Sequence, residues 1–181
     1  MASNPSFLVP LAFLFLVSAT SARANDDLIK RHVETPEYYN RCVSTLKSDP
    51  LSTKADVKGL ASIMVRSGLT KANATRSYLK AQLYHKGVDE DLKDNLRYCS
   101  TEFLSAITNL RVALQKLSRE KYEFALYDVL LASYAPEDCE VGFEKSPELR
   151  CPPELRRRGQ EFEQICHIAQ EIISPLIPHD L

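Results

Sequence analysis

The chain has 181 residues, 26% charged and 44% apolar, with a formal net charge of −1 and an isoelectric point near 6.4. This balance fits a single globular domain and leaves no surplus of positive charge for nucleic acid or an anionic membrane surface. With 5 glycines, no tryptophan and no proline from Leu51 to Ala135, the chain lacks the turn-forming residues an all-β sandwich requires.

The N-terminus opens with an apolar run, Phe7 to Val17, followed by small residues from Ser18 to Ala22 and then Arg23-Ala24. The run is shorter than the roughly 20 apolar residues that span a bilayer. Ala22-Arg23-Ala24 supplies the small-x-small pattern of a signal peptidase site. Residues 1–24 therefore read as a secretory signal peptide cleaved after Ala24, with Ala22 the alternative site, and residues 25–181 as the mature domain, secreted and free of the membrane after cleavage.

Secretion sets the meaning of Cys42, Cys99, Cys139, Cys151 and Cys166, because disulfides are the default in an oxidising compartment. Five is odd, so at least one thiol stays free or pairs between chains. Asn73-Ala74-Thr75 is a glycosylation sequon, which makes Asn73 a candidate acceptor if it is exposed.

In the mature chain Thr35 reads as a helix cap with Pro36 at the first helical position. Tyr39, Cys42, Val43 and Leu46 recur on one face, and this short helix ends before Pro50. From about Thr53 to Tyr84, Val57, Ala61, Met64, Gly68, Ala72, Thr75, Leu79 and Leu83 alternate steps of three and four, which predicts one long helix. Gly59 and Gly68 each cost about 1 kcal/mol against alanine there, so close packing against a neighbour is expected to compensate.

Asp89, Glu90 and Asp91 suit the start of a third helix, whose inward stripe is Leu92, Leu96, Cys99, Phe103, Ala106, Leu110, Ala113 and Leu117. A fourth is predicted from about Arg119, with Tyr122, Ala125, Leu126, Val129 and Leu130 inward, ending or bending at Pro136. Lys145 to Pro153 reads as a crossing loop. Leu155, Phe162, Ile165, Ala169, Ile172 and Leu176 define the last helix.

These elements predict an all-α fold, an up-down-up-down four-helix bundle over residues 51–181 with an N-terminal helical extension over 25–50. Cys99 faces inward on the third helix and Cys139 is expected one turn after the fourth, so antiparallel packing could join them. Such a link is worth about 4 kcal/mol on the chain-entropy account.

No catalytic pattern emerges. The chain has no G-x-S-x-G, H-E-x-x-H, phosphate-loop or dinucleotide motif, and His32, His85, His167 and His179 are dispersed, so neither a metal nor a cofactor is expected. Glu137, Asp138 and Glu140 around Cys139 suit a helix start rather than a calcium loop. Arg156, Arg157 and Arg158 read as a solvated face offset by Glu154 and Glu161.

Several of these positions together resemble the plant invertase and pectin methylesterase inhibitor family. Leu96, Cys99, Phe103 and Ala106 match its bundle-cysteine helix, and Cys139-Glu140-Val141-Gly142-Phe143 matches its second cysteine motif. Thr35-Pro36 ahead of Cys42, then Leu46, Ser48-Asp49-Pro50 and Ala55-Asp56-Val57-Lys58-Gly59-Leu60-Ala61 resemble its N-terminal stretch. The likeness runs from Leu28 to Ser174 and implies a disulfide between Cys99 and Cys139. It also implies a second clamp in the N-terminal hairpin, but His32 stands where the partner of Cys42 belongs. Tyr98 replaces an acidic residue.

The resemblance implies a non-catalytic, extracellular inhibitor that occludes the substrate cleft of a carbohydrate-active enzyme in the plant cell wall. Tyr122, Glu123, Phe124 and Tyr134 are the candidate enzyme contacts. Invertase inhibitors of the family carry Pro-Lys-Phe where this chain has Tyr122-Glu123-Phe124, whereas Tyr122 matches the tyrosine of methylesterase inhibitors. Tyr134 stands where the latter have threonine. Pectin methylesterase is accordingly the expected partner, invertase the alternative, and a secreted bundle that has lost inhibition the third possibility.

Overall fold

The structure, a computed structural model, describes residues 29–30, 33, 36–85, 87–146 and 148–178. The signal-peptide segment, His32 and the predicted cap Thr35 lie outside them. The described residues form helices α1 (Pro36–Lys47), α2 (Val57–Leu83), α3 (Glu90–Ser118), α4 (Tyr122–Ser133), α5 (Ala135–Glu144) and α6 (Pro153–Ile173). Short 3-10 turns, Pro50–Lys54 and Ser174–Leu176, precede α2 and follow α6. Among the described residues there is no strand.

Two predicted boundaries are corrected, each by local chemistry. The long helix begins at Val57 rather than Thr53 because two aspartates cap in succession. Asp49 Oδ1 accepts the Leu51 N–H at 2.9 Å and closes the 3-10 turn, and Asp56 Oδ1 accepts the Gly59 N–H at 2.7 Å and starts α2. The fourth helix begins at Tyr122 rather than Arg119, because Glu120 takes a left-handed backbone (φ 58°) that ends α3. The Lys121 N–H then donates to the Lys116 carbonyl at 2.9 Å.

The bend expected at Pro136 falls at Tyr134, where a proline without an N–H fits the first turn of a new helix. Cys139 therefore lies within α5 rather than in a turn after α4. Glu137 and Asp138 occupy the first turn of α5, where negative charge is favoured.

Cross-helix pairs fix the topology. Between α2 and α3, Lys58 meets Glu120 at 2.9 Å just past the end of α3, and the Arg76 Nε–H donates to the Ser100 carbonyl at 3.3 Å. As one number rises the other falls, so the helices are antiparallel. The same holds for Lys116 with Asp128 (2.7 Å) and Cys99 with Cys139 between α3 and the α4–α5 pair. It holds again for Ser133 with Gln170 and Glu140 with Arg156 against α6. α6 returns to α2 through Lys71 and Glu161 at 2.9 Å, closing the ring.

The core lies inside that ring. Phe103 of α3 and Phe162 of α6 meet edge to face with centroids 5.5 Å apart, and Leu60, Met64, Leu110 and Ile165 are likewise fully buried along the bundle. α1 packs on α2 and α6, burying Cys42 and Leu46. The arginine run is absorbed by pairing: Arg156 with Glu140, Arg157 with Glu154 and Glu161, and Arg158 with Glu154 while lying 4.9 Å over the Tyr78 ring. Leu126 and Leu130, expected inward, are only half-buried.

The glycines do not behave as the sequence suggests. A Cβ at Gly68 would stand 3.5 Å from Leu110 Cδ1 and 3.6 Å from Ile165 Cγ2, ordinary contact distances. A Cβ at Gly59 would meet its own capping turn rather than a neighbouring helix. The close approaches between helices lie instead at Gly142 of α5, where a Cβ would fall 2.9 Å from Asn95 Oδ1 of α3, and at Gly159 of α6, where it would fall 3.0 Å from the rigid ring of Pro136 at the α4–α5 bend. Gly68→Ala is therefore expected to stabilise the fold by up to about 1 kcal/mol. Gly159→Ala should destabilise it by about 1 kcal/mol, because overpacking outweighs the gain in helix propensity. Urea unfolding of the two variants checks both signs.

Candidate functional site

Helix α4 is apolar on two sides. Its inward face, Ala125, Val129 and Ala132, is fully buried in the bundle. On the opposite face Phe124, Tyr127, Leu131 and Tyr134 are 59%, 57%, 38% and 44% exposed. Their spacing of three, four and three places them in one line along the helix. A helix that is apolar all round is normally buried all round, so a solvated aromatic ridge of this kind marks a surface that another molecule covers.

The ridge is braced from α3. The Lys116 ammonium sits 5.7 Å over the Phe124 ring and 2.7 Å from Asp128 Oδ2, the latter on a buried residue of α4. One cation thus neutralises a buried carboxylate and supports the first aromatic of the ridge. Lys121, exposed one residue ahead of α4, adds a second positive charge at the same end. Glu123 is exposed in the first turn, where the helix dipole favours an acid.

Of the residues named from sequence, Phe124 and Tyr134 lie on the ridge and Glu123 beside its start. Tyr122 is half-buried against the core and contributes less. Tyr127 and Leu131 were missed; the steps of three, four and three from Phe124 to Tyr134 are visible in the sequence, but with apolar residues on both faces of α4 the pattern does not say which stripe is outward. Asn73 is exposed on α2, with its amide donating to the Leu69 carbonyl at 2.7 Å, while Thr75 is buried and donates to the Lys71 carbonyl at 2.9 Å.

Cys99 and Cys139 are bonded, tying α3 to α5 below the ridge-bearing segment. Cys42, Cys151 and Cys166 are free and buried. Burial pushes all three thiols up, Cys42 to about 12 with help from the charge of Glu171. Such thiols are poor nucleophiles at neutral pH. Among the described residues no group of histidine, cysteine and carboxylate side chains is placed to hold a metal ion, and no helix is long and apolar enough to cross a membrane. The ridge can bind but carries no reacting group.

Comparison with known proteins agrees with a binding role. The sequence profile described as plant invertase/pectin methylesterase inhibitor matches residues 28–172. The cell wall/vacuolar inhibitor of fructosidase 2 of Arabidopsis thaliana is 38% identical over 179 residues, spanning 98% of this chain and 99% of the relative. The pectinesterase inhibitor of Actinidia deliciosa is 29% identical over 174 residues, 96% and 92% of the two chains. A solved structure, a mutant form of a pectin methylesterase inhibitor from Arabidopsis, superposes with a TM-score of 0.62 at 25% identity, covering 81% of this chain and all of that one.

Proposed function

Because the chain belongs to the plant invertase/pectin methylesterase inhibitor family, we propose that it is a secreted, non-catalytic inhibitor that blocks a fructosidase of the invertase class with the α4 ridge. The observation that carries the choice of target is the 38% identity, end to end, with a protein named as a fructosidase inhibitor, against 29% with a pectinesterase inhibitor. Binding is by occlusion: Phe124, Tyr127, Leu131 and Tyr134 supply the apolar anchor, and the charges around the start of α4 form the polar rim.

The sequence pointed the other way because Glu123 replaces the lysine of the invertase-type turn. The surroundings of Glu123 weaken that objection. It is solvated and free to turn away, while Lys116 and Lys121 keep positive charge at the same end of α4. The second target, pectin methylesterase, rests on the match of Tyr122 to the methylesterase-type tyrosine.

Titrating the purified mature protein against both enzymes separates the two targets. Fructosidase activity is expected to fall at equimolar inhibitor, with pectin methylesterase little affected. The reverse outcome transfers the role to methylesterase, and no inhibition of either removes it. Glu123→Lys, which restores the lysine of the invertase-type turn, should tighten the fructosidase complex about tenfold. An unchanged constant would mean that the start of α4 does not face the enzyme.

A further inference from the structure

A groove of about 740 Å³ separates α1 from α2, far from the ridge, since α2 and α4 stand diagonally across the bundle. Neighbouring helices ordinarily close such a space with apolar side chains. Here α1 spends its apolar residues, Cys42 and Leu46, elsewhere in the core and lines the groove with Arg41 and Ser44. The facing wall on α2 presents Arg66, Thr70 and Lys71. Asp49 lies at the other end of α1. The stretch from Arg41 to Ser48 is about 10 Å long at 1.5 Å per residue.

The chemistry of this lining is specific. Arg66 is exposed and has no carboxylate partner among the described residues. Lys71 is 2.9 Å from Glu161 of α6, whose carboxyl is held below its usual range chiefly by Lys71, with Arg157 and Arg41 adding. Among the described residues, the positive charge of the lining that is not spent on a close ion pair therefore lies on Arg41 and Arg66. The hydroxyls have already spent their hydrogens. Ser44 donates to the Arg41 carbonyl at 2.9 Å and Thr70 to the Arg66 carbonyl at 3.0 Å, which leaves lone pairs for a ligand. A matching ligand carries carboxylates for the cations and hydroxyl donors for these acceptors. A sulfate offers the charge without the donors.

We propose that the groove between α1 and α2 binds a uronic-acid oligosaccharide, its carboxylates on Arg41 and Arg66 and its hydroxyls donating to Ser44, Thr70 and Asp49. The arginines take carboxylates in paired hydrogen bonds, and Asp49 retains one oxygen beyond the one that caps Leu51. A secreted protein with this groove would be held on acidic polysaccharide while its α4 ridge stays free.

Calorimetric titration of the mature protein with a de-esterified oligogalacturonate, its fully methyl-esterified form and dextran sulfate tests this. The acid is expected to bind, more weakly as salt rises, with the methyl ester and dextran sulfate each at least about tenfold weaker. Arg66→Gln should raise the apparent Kd for the acid at least about tenfold, and Thr70→Ala should raise it less, with melting temperature and enzyme inhibition unchanged in both. Absence of binding by the acid up to about 1 mM, equal binding of the ester, equal binding of dextran sulfate, or an Arg66→Gln protein that binds as the wild type would each overturn the proposal.

Discussion

Removing two rings from the ridge, Phe124→Ala with Tyr127→Ala, is expected to weaken inhibition by about 100-fold or more while shifting the melting temperature by no more than about 2 °C. The two effects separate because both side chains are more than half exposed, so the fold gains little from them. In a complex they would be fully desolvated at the centre of the contact, where an aromatic anchor contributes about 2 kcal/mol or more. Tyr98→Ala serves as the control. That tyrosine is 42% exposed on α3, packed beside Gly142 of α5 and off the ridge, and its loss should leave inhibition intact. Wild-type inhibition by the double variant would place the enzyme on another face of the bundle.

The ridge also shows which parts of the molecule the sequence made legible. The α3 stripe from Leu96 to Leu117 was readable throughout because its steps of three and four match the helical repeat and most of its solvent-facing positions are polar, Tyr98 and Leu104 excepted. α4 resisted the same treatment. With apolar residues on both faces there is no contrast from which to read an inward direction, so Leu126 and Leu130 were placed inside and Tyr127 and Leu131 were overlooked. A helix without amphipathic contrast was itself the signal of a binding surface.

Boundaries failed for a different reason. Periodicity extends a helix as far as apolar residues recur, whereas the chain stops where a side chain captures a backbone N–H. Asp49 and Asp56 do this before α2, and neither is part of the apolar pattern. The α4–α5 bend belongs to the same class. A proline marks that a helix must change but not that a second helix starts at once, and the room for it is made by Gly159 on α6, more than twenty residues later. The polar groove beside α1 was hidden because serine, threonine and arginine read as an exposed face until a second helix is seen to share it.

The bond between Cys99 and Cys139 carries the largest expected effect on stability. It joins residues 40 positions apart, and losing that restraint on the unfolded chain should cost about 4 kcal/mol in the variant with both cysteines changed to alanine. For a domain of this size that is a fall of about 10 °C in melting temperature. The bond should also resist exchange in the native state. Both sulfurs are buried, and the three free thiols are held protonated by burial, so none supplies the thiolate that would attack it at neutral pH. Iodoacetamide should therefore label the folded protein only as fast as it opens, reach Cys42, Cys151 and Cys166 in denaturant, and reach Cys99 and Cys139 only after reduction. The same thiols set an alkaline limit. Below the ordinary thiol value of 9.0 they are protonated in both states and cost nothing, but above it the unfolded thiols ionise while folded Cys42 holds its proton to about 12. Stability should accordingly fall as pH rises through that window, and fall less when Cys42 is replaced by alanine, once the cavity cost common to all pH values is subtracted. Rapid labelling of any of the three thiols in the folded protein, or an equally steep alkaline loss in the Cys42→Ala variant, would show that burial does not control their ionisation.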